Sequence, residues 1–135
     1  MVIHSTKTTR GLIELMLILG ALKKMGVREV TCLIPYFGYG RQHKNYPVPE
    51  YGEEAIGANS AKIILEIISQ FCEKIYTVNV HFFKEEGLQY FEGVEGLKII
   101  NLNAFPILVE YTLSVIEKLG LPKPKLIGCD AGVVS

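Results

Sequence analysis

Three short polar segments carry residue types suited to chemistry: GYGRQHK at 38–44, NVH at 79–81 and DAG at 130–132. In the first, Arg41 and Lys44 form a close basic pair with Gln42 and His43 between them. A guanidinium grips phosphate oxygens through two parallel N–H donors and also stacks on a base. Tyr36, Phe37, Tyr39 and Tyr46 surround the pair with aromatic faces. The glycines alone carry little weight, because neither GxxxxGK[ST] nor GxGxxG is present. A solvated tight turn is the plain alternative. His81 follows an apolar run and is either a hydrogen-bonded loop residue or a ligand to a divalent cation or phosphate oxygen. Asn79 lies two residues earlier, on the same side of the strand. Asp130 opens into Ala131 and Gly132, which leaves room for a phosphate or metal to approach. An Asp among oxygen-rich partners suits Mg²⁺, and a turn or cap is the alternative. His4 and His43 form no constellation of their own.

The elements that must position these segments alternate between strand and helix. Residues 2–5 read as a short strand. Residues 9–25 read as a helix capped by Thr8 or Thr9, with Leu12, Ile13, Met16 and Leu19 at helical spacing and Gly26 as its stop. Residues 29–34 (EVTCLI) form a near-continuous apolar run, as a strand buried on both faces requires. Residues 35–52 hold three Pro and three Gly and read as a loop. A second helix is expected over 53–72, a strand over 75–80, a loop or short helix over 81–91 and a strand over 97–102. A third helix, with Pro106 in its first turn, is expected over 105–119. The break GLPKP at 120–124 precedes a last strand at 125–129. This alternation predicts an α/β fold, a mostly parallel sheet flanked by helices on both faces. In such sheets ligands bind beyond the carboxyl ends of the strands, where all three polar segments fall.

Composition narrows the function classes. The 135 residues carry 14 Lys+Arg against 14 Asp+Glu, a formal charge of zero, and 49% are apolar. That excludes a disordered chain and argues against nucleic-acid or anionic-membrane binding, which call for a basic surplus. Cys32, Cys72 and Cys129 are odd in number and widely spaced, so they read as buried thiols of a reducing cytoplasm. The apolar run at 11–22 has Glu14 inside it and Lys23 and Lys24 behind it. It is too short for a membrane span and reads as a buried helix. The mean hydropathy of +0.27 is high for a free-standing monomer: either the domain is mostly buried α/β sheet, or part of its surface expects a cover.

The residues also support a resemblance. LIPYFGYGRQHK (33–44) resembles the signature of the ribose-phosphate pyrophosphokinases, the phosphoribosyl-diphosphate (PRPP) synthetases. That signature runs hydrophobic pair, PY, two or three small or aromatic residues, then A-R-Q-D-[RK]-K. Further matches follow in order. EEAIGANSAKIILEII (53–68) resembles the E-x-I-[ST]-x-[KR]-x-x-A-x-x-L helix, and TVNVHF (77–82) a strand ending D-L-H or N-P-H. NLNAFPIL (101–108) resembles N-L-x-A-x-P-x-L, and LIGCDAGVV (126–134) resembles x-x-P-D-x-G-x. The resemblance covers essentially the whole chain.

It implies phosphoribosyltransferase-like α/β domains: residues 1–120 as an incomplete first domain, and 121–135 as the first strand and DAG loop of a second. It implies transfer of the β,γ-diphosphoryl group of Mg-ATP to ribose 5-phosphate. Arg41, Gln42 and His81 would contact ATP, His81 and Asp130 the Mg²⁺, and Asp130 the ribose 5-phosphate. The sequence departs from the pattern at His43 (for an acidic residue), Asn79 (for Asp) and Cys129 (for Pro), and the linker 45–52 is long. The family's R-F-x-D-G-E segment would precede Met1, and its flexible basic loop and D-D-x-x-x-T-G-G-T loop would follow Ser135. The expectation is therefore a chain inactive alone that forms a homo-oligomer or joins a complete synthetase. The alternative is a non-catalytic regulatory or nucleotide-binding subunit. No nucleic-acid or membrane partner is expected.

Overall fold

The computed structural model describes residues 1–47 and 56–122. The chain divides into two compact units, Met1–Asn103 and Ala104–Ser135. The first holds, in order, β1 (Val2–Ile3), α1 (Thr9–Lys24), β2 (Thr31–Ile34), β3 (Tyr46–Pro47), β4 (Ile56–Gly57), α2 (Ser60–Ser69), β5 (Lys74–Val78), β6 (Gly87–Gln89) and β7 (Lys98–Leu102). Its main sheet has the order β1-β2-β5-β7-β6. The first four strands run parallel and β6 pairs antiparallel to β7. The expected mostly parallel sheet with helices is what forms.

Register fixes which side chains share a face. Cys32, Ile75 and Ile99 align across the sheet, and Ile34, Thr77 and Asn101 form the next row. All six are buried, and the apolar ones join Leu15 and Leu19 of α1 and Ala61, Ile64, Leu65 and Ile68 of α2 in one core. Both helices of this unit therefore cover the same face, where the sequence pattern predicts helices on both. Successive right-handed crossovers that step in one direction across a parallel sheet require this. Lys23 joins the helices at their carboxyl ends. Its Nζ donates to the Gln70 carbonyl at 2.7 Å and lies 5.6 Å from the Phe71 ring centre.

The caps follow sequence chemistry. Thr8 Oγ1 accepts from Gly11 N at 3.1 Å and starts α1, and Gly26 ends its turn at φ +82°. α2 starts seven residues later than its apolar pattern suggests. Asn59 Oδ1 accepts from Lys62 N at 3.0 Å and caps the helix there, after Ile56–Gly57 has paired with Tyr46–Pro47. The expected loop at 35–52 thus contains β3, and the segment 81–91, expected as a loop or short helix, contains β6. Cys32 and Cys72 are buried free thiols, as expected; Cys129 lies outside the described residues. Hydrogen bonding with Cys32 and burial push the Cys72 thiol up, so it stays protonated.

The second unit contains α3 (Phe105–Leu119), with Pro106 in its first turn and Gly120 closing it in the left-handed region at φ +60°. The strand expected at 125–129 lies outside the described residues. Among the described residues no helix is long and apolar enough to cross a membrane.

Thr77 is fully buried, yet its hydroxyl has no hydrogen-bond partner among the described residues. Such a group costs about 1–3 kcal/mol. Thr77→Val, which keeps the shape and deletes the hydroxyl, is expected to raise stability by roughly 1 kcal/mol in urea unfolding.

Candidate functional site

The site begins with a close approach between two loops. β1 ends at Ile3 and the chain turns through Thr6, which is 1% exposed. Thr6 N donates to the Tyr36 carbonyl at 3.1 Å, and Thr6 Oγ1 donates to the same carbonyl at 3.1 Å. The same Oγ1 accepts from Gly38 N at 2.8 Å. Gly38 lies so close that an added Cβ would sit 2.0 Å from the Thr6 carbonyl oxygen. The loop after β2 is thereby pinned to the loop after β1.

That pin aims residues 39–42. Tyr39 has φ +61°, a left-handed conformation that a large side chain rarely adopts. Two bonds hold it there: its hydroxyl pairs with Thr9 Oγ1 at 3.0 Å, and its carbonyl accepts from Gln42 N at 2.9 Å. The Gln42 carbonyl then accepts from Ala61 N at 3.0 Å, and Asn59 Nδ2 donates to the His43 carbonyl at 2.9 Å. The first turn of α2 is thus the backstop of the loop.

The opposite wall comes from the end of β5. Asn79 also has positive φ, +45°, and its N–H donates to the Leu102 carbonyl at 2.9 Å. Asn101 of β7 is 5% exposed; its Oδ1 accepts from Val80 N at 3.1 Å and its Nδ2 donates to the Glu85 carbonyl at 2.9 Å. Below, Phe82 meets Phe37 edge-on at 5.5 Å and Phe91 at 5.0 Å between ring centres, a partly buried aromatic footing for the loop.

Between the walls lies a cleft of about 330 Å³. Tyr36, Tyr39, Arg41 and Gln42 line one side, and Val78, Asn79 and His81 the other. The sequence segments at 38–44 and 79–81 therefore converge at the carboxyl edge of neighbouring strands. Arg41, Gln42 and His81 are exposed. Asp130 lies outside the described residues. A hollow of about 390 Å³ opens at the amino ends of the strands, lined by Arg28, Glu29, Gln70 and Lys98 among others. The carboxyl edge is the better site on physical grounds, because it joins a guanidinium, amides and an imidazole to aromatic faces and holds two strained backbones.

The donor set defines the chemistry. A guanidinium is of the type that pairs with phosphate, and Tyr36 and Tyr39, 58% and 42% exposed, present ring faces to the cleft. Among the described lining residues there is no carboxylate. Mg²⁺ takes oxygen ligands, usually one or two carboxylates plus substrate phosphates, so these residues alone do not hold it. Sequence reasoning missed Thr6, Asn59 and Asn101. The last two left a signal: an amide before a helical run, and an amide inside the apolar strand LKIINL.

The fold is a phosphoribosyltransferase-like α/β domain with an open cleft at the carboxyl edge of its sheet. The family model for the N-terminal domain of ribose phosphate pyrophosphokinase matches residues 1–70, and the chain belongs to that family. It is 33% identical over 127 residues to a ribose-phosphate pyrophosphokinase of Burkholderia pseudomallei, covering 94% of this chain and 35% of that protein. It is 28% identical over 132 residues to one of Streptomyces avermitilis, covering 97% of this chain and 36% of that protein. In structure it resembles the phosphoribosylpyrophosphate synthetase of Mycobacterium smegmatis with a TM-score of 0.63 at 20% identity, covering 86% of this chain and 35% of that one. The chain spans about a third of the length of these relatives.

Gly38→Ala is expected to lower stability by at least about 2 kcal/mol in urea unfolding, since backbone rather than a movable side chain blocks the new methyl. Gly20→Ala, in α1 with its nearest neighbour at 3.9 Å, is the contrast. It is expected to stabilise by about 0.5–1 kcal/mol.

Proposed function

We propose that the chain is the ATP-holding part of a ribose-phosphate pyrophosphokinase system. The convergence of Arg41, Gln42 and His81 on one cleft, beside Tyr36 and Tyr39, carries this reading. The aromatic faces would take the adenine, and Arg41 and His81 the triphosphate. Mg²⁺ would arrive on the phosphate oxygens, with Asp130 as the protein carboxylate that also meets ribose 5-phosphate. Residues 1–120 would be the nucleotide domain, and 121–135 the start of a ribose-phosphate domain. Diphosphoryl transfer needs both substrates aligned and their charge neutralised. The described cleft supports the nucleotide half of that requirement. We therefore expect the 135-residue chain to bind ATP in the cytoplasm and to act only in an assembly with itself or with a complete synthetase. His43, in place of an acidic residue, favours a regulatory or nucleotide-binding subunit as the second reading.

Calorimetry with Mg-ATP tests the site. Arg41→Ala is expected to weaken binding at least tenfold, as loss of a charge-assisted pair does; unchanged affinity would remove Arg41 from it. A coupled assay for AMP from ATP and ribose 5-phosphate tests the division of labour. The pure chain is expected to show no turnover above background, and robust turnover would sink that part of the proposal. Co-purification with a complete synthetase would favour the subunit reading.

A further inference from the structure

Thr6 does not line the cleft and is 1% exposed, yet its hydroxyl bonds to the loop that carries Arg41. We propose that Thr6 is a positioning residue for the nucleotide: its buried hydroxyl sets how tightly the cleft holds Mg-ATP, by aiming the Arg41 loop and without touching the ligand. The identity of the ligand rests on the ATP reading above; the aiming of the loop does not.

The loop after β1 is fixed before it meets its neighbour. His4 N donates to the Leu33 carbonyl at 3.0 Å, which carries the parallel pairing of β1 and β2 one residue further. A Cβ added at Gly11, in the first turn of α1, would sit 2.7 Å from the Ser5 carbonyl oxygen, and one added at Gly38 would sit 2.0 Å from the Thr6 carbonyl oxygen. Two successive carbonyls of this loop are thus packed against glycine backbones of different elements. Thr6 is wedged between α1 on one side and the Arg41 loop on the other.

The two bonds of its hydroxyl are not equivalent. The Tyr36 carbonyl also accepts from Thr6 N at 3.1 Å, so it keeps a partner when the hydroxyl is removed. The Gly38 amide is buried, and Thr6 Oγ1 is its acceptor at 2.8 Å, with no other among the described residues. Removing the hydroxyl therefore orphans one buried donor, and the backbone at 38 gains by turning toward water. Tyr39, Arg41 and Gln42 follow directly in sequence and move with it. The far end of the loop already touches the opposite wall, where the His43 and His81 rings meet with centres 5.3 Å apart. A ligand held by such a loop binds less tightly in proportion to the fraction of chains whose loop is aimed. Thr77 supplies the contrast within the same unit: it is fully buried, but its hydroxyl has no partner among the described residues.

Calorimetry of the 135-residue chain with Mg-ATP is the test, joined to amide hydrogen exchange read residue by residue. Thr6→Val is expected to weaken binding at least tenfold, the loss that an aimed fraction of about one tenth produces. Thr6→Ser, which keeps the hydroxyl, is expected to bind within about threefold of wild type. Thr77→Val makes the same replacement at a hydroxyl without a partner and is expected to leave binding unchanged. The Gly38 amide is expected to be protected in the wild type and in Thr6→Ser, and to exchange at least tenfold faster in Thr6→Val. The core amides of Ile75 and Ile99 are expected to keep their protection in all variants. Thr6→Ala, which adds no methyl beside Gly38 N, replaces Thr6→Val if the valine variant does not fold. A folded Thr6→Val or Thr6→Ala that binds Mg-ATP as tightly as wild type would overturn the proposal. So would a Thr6→Ser as weak as either, an unprotected Gly38 amide in the wild type, or exchange raised evenly through the core. Failure of the wild-type chain to bind Mg-ATP would overturn the ATP reading and the ligand named here, while exchange at Gly38 would still decide whether the hydroxyl aims the loop.

Discussion

The cleft depends on one close approach, between the backbone at Thr6 and the backbone at Gly38. A single buried hydroxyl serves both loops, donating to the Tyr36 carbonyl and accepting from Gly38 N. Short parallel strands need such a tie, since β1 contributes only two residues to the ladder. Without it the loop after β2 would be anchored at one end only. With it, the backbone at 36–38 is fixed, and the left-handed turn at Tyr39 becomes tolerable because its surroundings over-determine it. Strain at one residue is offset by bonds from three elements: Thr9 of α1, Gln42 of the loop itself and, through Gln42, Ala61 of α2.

The second wall uses the same logic with a different residue. Asn tolerates positive φ better than most side chains, so Asn79 turns the chain out of β5 at lower cost than Tyr39 turns the other loop. Asn101 then does for residues 80–85 what Thr6 does for 36–38, satisfying one donor and one acceptor from inside the sheet. Each wall of the cleft is thus held by one buried polar side chain on a neighbouring strand or loop. This arrangement places exposed groups, Arg41 and His81, on backbones that are not themselves free to wander. It also explains why two histidines distant in sequence can sit ring to ring.

Much of this was legible beforehand, and the exceptions have physical causes. The strand-helix alternation gave the parallel sheet because the central strands are mostly apolar on their core face, Thr77 and Asn101 excepted, and α1 and α3 fell where caps and Pro106 place them. The helix predicted over 53–72 overran its true start, because an apolar periodicity continued through Ile56 while backbone pairing with Pro47 and the Asn59 cap ended the helix first. β6 escaped notice because an antiparallel edge strand of three residues has no period to detect. The convergence of 38–44 with 79–81 followed from the fold class. The meeting of His43 with His81 did not, since a ring-to-ring contact depends on how far each loop leans, and that is set by Thr6, Asn59 and Asn101 rather than by anything near either histidine in sequence.

The hydropathy excess can be located in the same way. Part of it lies in the buried core that α1 and α2 cover. Part of it lies on the surface. Register aligns Ile3, Leu33, Tyr76, Ile100 and Leu88 in one row across all five strands, on the face that α1 and α2 leave bare. The ends of this row, Ile3 and Leu88, are 63% and 53% exposed. On α1, Ile13 and Leu17 lie one turn apart and are 54% and 68% exposed. Isolated exposed apolar residues mean little, but an aligned row across a sheet and an i, i+4 pair on a helix are ordered, and order of this kind is what a covering surface reads. A zero net charge removes the repulsion that would otherwise keep such faces apart. The same neutral, apolar composition that first argued only for a folded core therefore argues equally for contact beyond it.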